Sequence, residues 1–98
     1  MNEWTVTGEV FYLRELDGEF AASLRIRGAS RREGFESSQV LEVGCLMQAK
    51  AWQDAKVKGV DIYRKVTITG HLESWTRTYN NKEKRRIMLI ADHVLSVA

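Results

Sequence analysis

The chain has 98 residues, of which 44% are hydrophobic and 29% are charged, so the sequence predicts a single soluble globular domain over residues 1–98. Its apolar runs, such as 43–47 and 87–91, are far shorter than the ~20 residues of a membrane span. The first residues have no charged-then-apolar pattern, so we expect no secretory signal, and one cysteine cannot form an internal disulfide. We therefore expect a cytoplasmic protein that does not associate with membranes.

The charges are nearly balanced overall but unevenly placed. Fifteen Lys and Arg against thirteen Asp and Glu give a net charge of +2, which is too small to indicate a partner by itself. However, the segment 25–32 carries four arginines and no acid, and the segment 77–86 carries five basic residues and one acid. Two basic patches on a nearly neutral body indicate an anionic partner that binds locally.

Period-two alternation, which is typical of β-strands, marks the first half of the chain. The first predicted strand spans 4–13, with Phe11 and Leu13 on one face, opposite Trp4, Val6, Val10 and Tyr12. Asp17-Gly18 is a hairpin signal. It precedes a second predicted strand over 20–27, whose apolar face carries Phe20, Ala22, Leu24 and Ile26.

The second half of the chain contains one change of period. A polar loop over 28–38 leads to a third predicted strand over 40–47. Helical spacing over 49–57, followed by Gly59, predicts a short helix with Trp52 on its core side. The pattern then predicts a long fourth strand over 65–79, a turn at 80–84 (NNKEK) and a last strand over 86–97.

This order of elements predicts an all-β fold with one short helix. Five strands with the helix between strands 3 and 4 are the order of a five-stranded Greek-key barrel, the OB-fold. A β-sandwich fragment and an α+β sheet are the alternatives. Closure of the barrel would also remove exposed strand edges from so short a chain.

Residues that could support catalysis are few. His71 and His93 have no spacing typical of a metal site, and Cys45 lies among apolar strand residues. Nucleophile-elbow, dinucleotide and P-loop motifs are missing from the sequence. The sequence therefore predicts no enzyme activity, no metal and no cofactor.

The most informative segment spans the end of the fourth predicted strand and the adjacent turn. Trp75, Arg77 and Tyr79 alternate, so their side chains should project from one face about 6.6–7 Å apart, which suits stacking of unpaired bases. We expect the turn to be ringed by Lys82, Lys84, Arg85 and Arg86. Further cations are predicted on the second strand and its loop, at Arg25, Arg27, Arg31 and Arg32.

Aromatic rings interleaved with cations are typical of a groove for single-stranded nucleic acid. The alternative is that Trp75 and Tyr79 pack under a loop or in a subunit contact and that the cations are ordinary surface charges. Phe35, in the polar loop, is either a mobile base-stacking residue or a minor packing anchor.

The last third of the chain, VTITGHLESWTRTYNNKEKRRIMLIADHVLSV (66–97), resembles the bacterial single-stranded DNA-binding protein family. The similarity lies in a hydrophobic strand ending at Gly70, then Leu72, a T-R-x-Y pattern over 76–79 and an A-D-x-V pattern over 91–94. VTGEV (6–10) and FAASLRIRG (20–28) also resemble that family's opening strands.

This resemblance implies an OB-fold that wraps single-stranded DNA with little sequence preference and assembles as a homo-oligomer, a dimer or tetramer. Arg77 and Tyr79 match motif positions, and Trp75 falls close to a base-stacking aromatic residue. We expect a short, tailless member that also resembles the primosomal replication protein group, acting in replication, recombination or repair with replication proteins as further partners. RNA remains an alternative ligand. The alternative function is a protein-interaction module that docks on a replication or primosome-type complex.

Overall fold

The computed structural model describes residues 2–30 and 39–98 and places the described strands in one closed barrel. The elements are β1 (Trp4–Glu15), β2 (Ala22–Ser30), β3 (Gln39–Met47), α1 (Ala49–Val57), β4 (Lys65–Tyr79) and β5 (Lys82–Val97). The strand order is β1-β2-β3-β5-β4, with β3 and β5 parallel and the other neighbours antiparallel. The prediction of an OB-fold with its helix between β3 and β4 is confirmed.

The core fills the barrel and is closed by residues of the helix. Strands contribute Val10, Leu24, Ile26, Met47, Val66, Ile68 and Val94, all of which are buried. Helix α1 adds Trp52 and Ala55, so the predicted core position of Trp52 is confirmed. In the part of the chain that the structure describes, no helix has the length and apolarity to cross a membrane.

Helix α1 begins and ends where the sequence predicts. Gly59 has a φ of 91°, a conformation that glycine adopts at little cost. The Gly59 amide donates to the Lys56 carbonyl at 3.1 Å, and the Val60 amide donates to the Ala55 carbonyl at 3.0 Å. These two bonds form a Schellman motif, and the buried side chain of Val60 then anchors the start of the next connection.

A β-bulge in β1 changes which aromatic residues face outward. In the register with β2, Val10 lies opposite Ile26 and Tyr12 lies opposite Arg25, so Phe11 is an extra residue. A bulge of this kind shifts the alternation by one position. Leu13 therefore packs against the core and Tyr12 faces outward beside Arg25, so the predicted faces of Tyr12 and Leu13 are wrong.

The β4–β5 turn is shorter than predicted. Only Asn80 and Asn81 connect the strands, with φ values of 50° and 61°, and β5 begins at Lys82. Two central residues with positive φ are the geometry of a type I′ turn, which asparagine tolerates well. Likewise β2 continues to Ser30, so the predicted loop over 28–38 begins later, and residues 31–38 lie outside the described residues.

Candidate nucleic-acid interface

The hairpin formed by β4 and β5 sets aromatic residues directly opposite cations. Trp75 pairs with Arg86, and Tyr79 pairs with Lys82. Residues directly opposite each other in an antiparallel pair share a face, with Cβ atoms about 4.5–5.5 Å apart. Trp75 is 36% exposed and Tyr79 is 72% exposed, so both rings are open to a ligand. This surface, which we call the hairpin face, is made of Trp75, Tyr79, Lys82, Lys84 and Arg86.

The cations next to these rings lie on a strand rather than around a turn. The turn itself contains only two asparagines, so Lys82 and Lys84, which the sequence predicts within the turn, lie on β5 together with Arg85 and Arg86. The strand splits this group, because Arg85 pairs with Thr76 and so lies on the side opposite the hairpin face. The structure thus brings together three of these four cations.

Trp75 packs against an aromatic ring of the β1–β2 connection. Its ring centroid lies 5.5 Å from that of Phe20, with the ring planes inclined by 30°. Phe20 lies in the β1–β2 connection, which is fixed because the Leu16 amide donates to the Ala21 carbonyl and the Ala21 amide donates to the Met47 carbonyl, both at 2.8 Å. From its alternation, the sequence predicts Phe20 on the apolar face of a strand instead. It does not predict the contact with Trp75, because no local pattern signals a contact between residues 55 positions apart.

A cleft opens beside the indole of Trp75. Its volume is about 330 Å³, and it is lined by Trp75, Thr76, Arg86, Ile87 and Met88. Ile87 and Met88 offer apolar contact and Arg86 offers a positive charge, a combination that suits a base attached to a phosphate.

A second cationic surface lies on β1 and β2. The Arg25 guanidinium lies 5.0 Å from the centroid of the Tyr12 ring, and the Arg27 guanidinium lies 4.6 Å from that of the Phe11 ring. Such cation–π contacts hold an arginine over a ring while leaving its outer face open. Arg27 also donates to Glu42 Oε1 at 3.0 Å, so part of its charge is neutralised.

Arg25 differs from Arg27 in its neighbour on β3. It lies opposite Gly44, whose position leaves room for a side chain. Among the described residues it forms no salt bridge. Arg25 is therefore the better placed of the two to contact a phosphate.

Several predicted site residues fall outside the described part of the chain. Arg31, Arg32 and Phe35 lie outside the described residues, and so does the side chain of Arg77. The backbone of Arg77 pairs with Lys84 within the hairpin.

The surroundings of Cys45 and His71 give these side chains roles in packing and hydrogen bonding. Cys45 is buried, and burial raises the pKa of its thiol to about 12, which keeps it protonated and poorly nucleophilic. Among the described residues, no group of three or more His, Cys, Asp or Glu side chains has metal-binding geometry. His71 is half-buried, with Asp92 and Glu73 bonded to its two ring nitrogens.

Comparison with solved structures identifies proteins of the same fold. The P. falciparum single-stranded DNA-binding protein, in complex with single-stranded DNA, matches with a TM-score of 0.63 at 16% identity, over 100% of this chain and 91% of the other. The mitochondrial single-stranded DNA-binding protein Rim1 of S. cerevisiae matches with a TM-score of 0.66 at 11% identity, over 99% and 97% of the two chains. A small single-stranded DNA-binding protein from Mycoplasma pneumoniae matches with a TM-score of 0.65 at 12% identity, over 98% and 93%.

This chain shares the OB-fold of these single-stranded DNA-binding proteins. The expected resemblance to them is confirmed in the fold. No protein-family model matches the sequence, and no curated protein matches it.

Proposed function

We propose that this protein binds single-stranded DNA without catalysis. In this proposal bases stack on Trp75, Tyr79 and Phe20, and phosphates contact the cations beside them. The observation that carries the proposal is the hairpin face, where each exposed ring has a cation directly opposite on the neighbouring strand. Stacking on an aromatic side chain contributes about 1–3 kcal/mol per base and tolerates any sequence, because every base has a π-face.

The comparisons support this function. The similar proteins share the fold over nearly their whole length, and each is a single-stranded DNA-binding protein by name. OB-folds in general bind oligonucleotides through the face of strands 2 and 3 and through the β1–β2 and β4–β5 loops. In this chain the β1–β2 connection meets the β4–β5 hairpin at the contact between Phe20 and Trp75.

We further propose the path of the strand. From the hairpin face it passes Phe20 and reaches Arg25, whose neighbour Gly44 leaves the surface of β3 open. Arg27 stands beyond Arg25 on the same strand. In this proposal Phe35 and four further cations extend the site. The cations are Arg31, Arg32, Arg77 and Arg85.

Equilibrium binding of a labelled oligo-dT to alanine variants tests the proposal. Trp75→Ala and Tyr79→Ala should each weaken binding by about 1–3 kcal/mol, because each removes one stacking ring. Tyr63→Ala is a matched control, because Tyr63 is 73% exposed but lies in the α1–β4 connection, away from the hairpin. If both hairpin variants stay folded by circular dichroism and bind like the control, the proposed site is wrong.

The wider biological role belongs to the same proposal. We propose that the domain acts in the cytoplasm in replication, recombination or repair, as a homodimer or homotetramer whose mass light scattering would measure. Competition between oligo-dT and oligo-rU would establish whether DNA or RNA is the preferred ligand.

A protein-interaction module is the second candidate function. Exposed apolar residues outside the hairpin favour it: Val57 and Ile62 lie at the end of α1 and in the α1–β4 connection, next to Tyr63. If this second function is right, neither the unchanged protein nor any of the variants would bind oligo-dT at low salt. Binding of the unchanged protein that depends on Trp75 would exclude this role for the hairpin face.

A further inference from the structure

A chain of hydrogen bonds leads from the indole of Trp75 to a carboxylate on β5. The Trp75 Nε1–H group donates to Glu73 Oε2 at 3.1 Å. The other oxygen of that carboxylate, Oε1, lies 3.0 Å from His71 Nε2, and His71 Nδ1 lies 2.6 Å from Asp92 Oδ2. Four side chains thus form one connected row on the outside of the barrel.

Strand geometry explains how the row is assembled. Residues 71, 73 and 75 alternate along β4, so their side chains project from the same face. On β5, Ala91 pairs with Gly70 and His93 pairs with Thr69, which leaves Asp92 as the extra residue of a bulge. A bulge re-aims a side chain, and here it directs the Asp92 carboxylate at the imidazole.

The row requires a charged imidazole. A carboxylate only accepts hydrogen bonds, so both ring nitrogens must donate, and only the imidazolium ion has two N–H groups. A neutral ring keeps one donor. The neutral ring would retain the shorter bond, in which Nδ1–H donates to Asp92. Nε2 would then present a lone pair to the Glu73 carboxylate, which would no longer be held by His71.

We propose that Glu73 is a positioning residue for Trp75, and that protonated His71, anchored by Asp92, holds Glu73 in place so that binding of single-stranded DNA strengthens as the pH falls. The effect on DNA rests on the proposed function, whereas the positioning of the indole does not. Two consequences of protonation act in the same direction: the indole is fixed for stacking, and the local negative charge that opposes phosphate decreases.

The surroundings of the row favour the charged ring. The hydrogen bonds that His71 donates to Asp92 and then to Glu73 raise its pKa above the ordinary value of 6.5, and the bond from His71 lowers the pKa of Glu73. The charged form is therefore present below that raised value and is lost above it. The other charged or titratable groups that line the adjoining cavities or lie opposite the row are Glu3, His93, Lys50, Asp54 and Arg86.

The first arm of the test is a pH titration of the free protein by NMR. The Trp75 indole N–H signal, assigned with Trp75→Phe, should shift with the same midpoint as the ring signals of His71. In His71→Gln, whose amide donates at every pH, the indole signal should no longer follow pH. His93→Gln is the matched control, since His93 is exposed, and should leave the titration unchanged.

The second arm measures oligo-dT affinity between pH 6 and pH 9. The unchanged protein and His93→Gln should lose about two- to tenfold in affinity as the pH rises, which is the range expected for one exposed hydrogen bond. His71→Gln should show no such step, and Glu73→Gln, in which protonation of His71 still lowers the local negative charge, should show a smaller one.

The two arms separate failure of this inference from failure of the proposed function. An indole signal that stays constant while His71 titrates, or that shifts equally in His71→Gln, overturns the positioning role. A normal indole titration without oligo-dT binding at any pH leaves the positioning role standing and overturns the DNA-binding function. Oligo-dT binding with the same pH profile in His71→Gln overturns the pH dependence.

Discussion

Gly70 lies where β4 comes close to the backbone of β5 and to the ring of Trp4. A Cβ atom at this position would lie 1.9 Å from the Ile90 carbonyl oxygen and 2.6 Å from Cζ2 of Trp4. The indole of Trp4 is itself fixed, because its Nε1–H group donates to the His71 carbonyl at 2.9 Å. The missing side chain is therefore what allows β1, β4 and β5 to close the barrel at this point.

Replacing this glycine should destabilise the whole barrel. Gly70→Ala forces backbone to move, and overpacking of this kind costs about 1–3 kcal/mol or more in the free energy of unfolding. Urea unfolding followed by circular dichroism measures the loss. Gly18→Ala is the control, because a Cβ at Gly18 meets nothing within 4 Å. Equal midpoints for the two variants would contradict this account of closure.

At the residue scale, the sequence predicts the exposure of the aromatic rings on β4 better than it predicts which residues contact them. The exposure of Trp75 and Tyr79 follows from simple alternation along β4. The outward position of Tyr12 does not, because the bulge at Phe11 shifts the alternation and leaves no mark in the pattern. The approach of Phe20 to Trp75 and of Asp92 to His71 depends on tertiary structure alone.

At the scale of elements, the β4–β5 hairpin carries most of the proposed site. Helix α1 and strand β4 have the bounds that the sequence predicts, because the change of period and Gly59 mark them clearly. The sequence places the start of β5 four residues too late, since the polar stretch from Lys82 to Arg85 is typical of a turn although it pairs as a strand. This pairing places Lys82, Lys84 and Arg86 in a row beside the rings.

The cations of the hairpin face predict how DNA binding responds to salt concentration. Each phosphate contact to single-stranded DNA contributes roughly −0.7 to the slope of log K against log salt concentration. Lys84→Ala combined with Arg86→Ala should therefore reduce the magnitude of the slope by about 1.4. Oligo-dT titrations at several NaCl concentrations measure it.

Two comparisons sharpen this salt experiment. A double control, Lys50→Ala with Lys65→Ala, removes the same charge from α1 and from the start of β4 and should leave the slope nearly unchanged. Arg85→Ala tests the opposite side of the hairpin and should change the slope less than Lys84→Ala alone or Arg86→Ala alone. A slope that falls equally in the double control would mean that the overall charge of the protein, and not the cations of the hairpin face, governs binding.

At the scale of the whole molecule, the barrel brings together two surfaces that lie far apart in the sequence. Strands β1 and β2 supply arginines over aromatic rings, and the β4–β5 hairpin supplies rings opposite cations. The contact between Phe20 and Trp75 joins them. A single strand that runs along this outer surface would meet alternating π-faces and positive charges, whereas a duplex, whose bases are stacked inside, could not use the rings.

Intrinsic tryptophan fluorescence tests this account most directly, by titrating the unchanged protein with oligo-dT and with a duplex of the same length at low salt. Stacking on Trp75 predicts that the single strand quenches the emission, that the duplex does so far less, and that Trp75→Phe loses the quenching while still binding. Trp52 is buried in the core and Trp4 packs against it with its Nε1–H group bonded to the His71 carbonyl, so both should contribute an unchanging background. Quenching that is equal for single strand and duplex, or that persists in Trp75→Phe, would contradict the account.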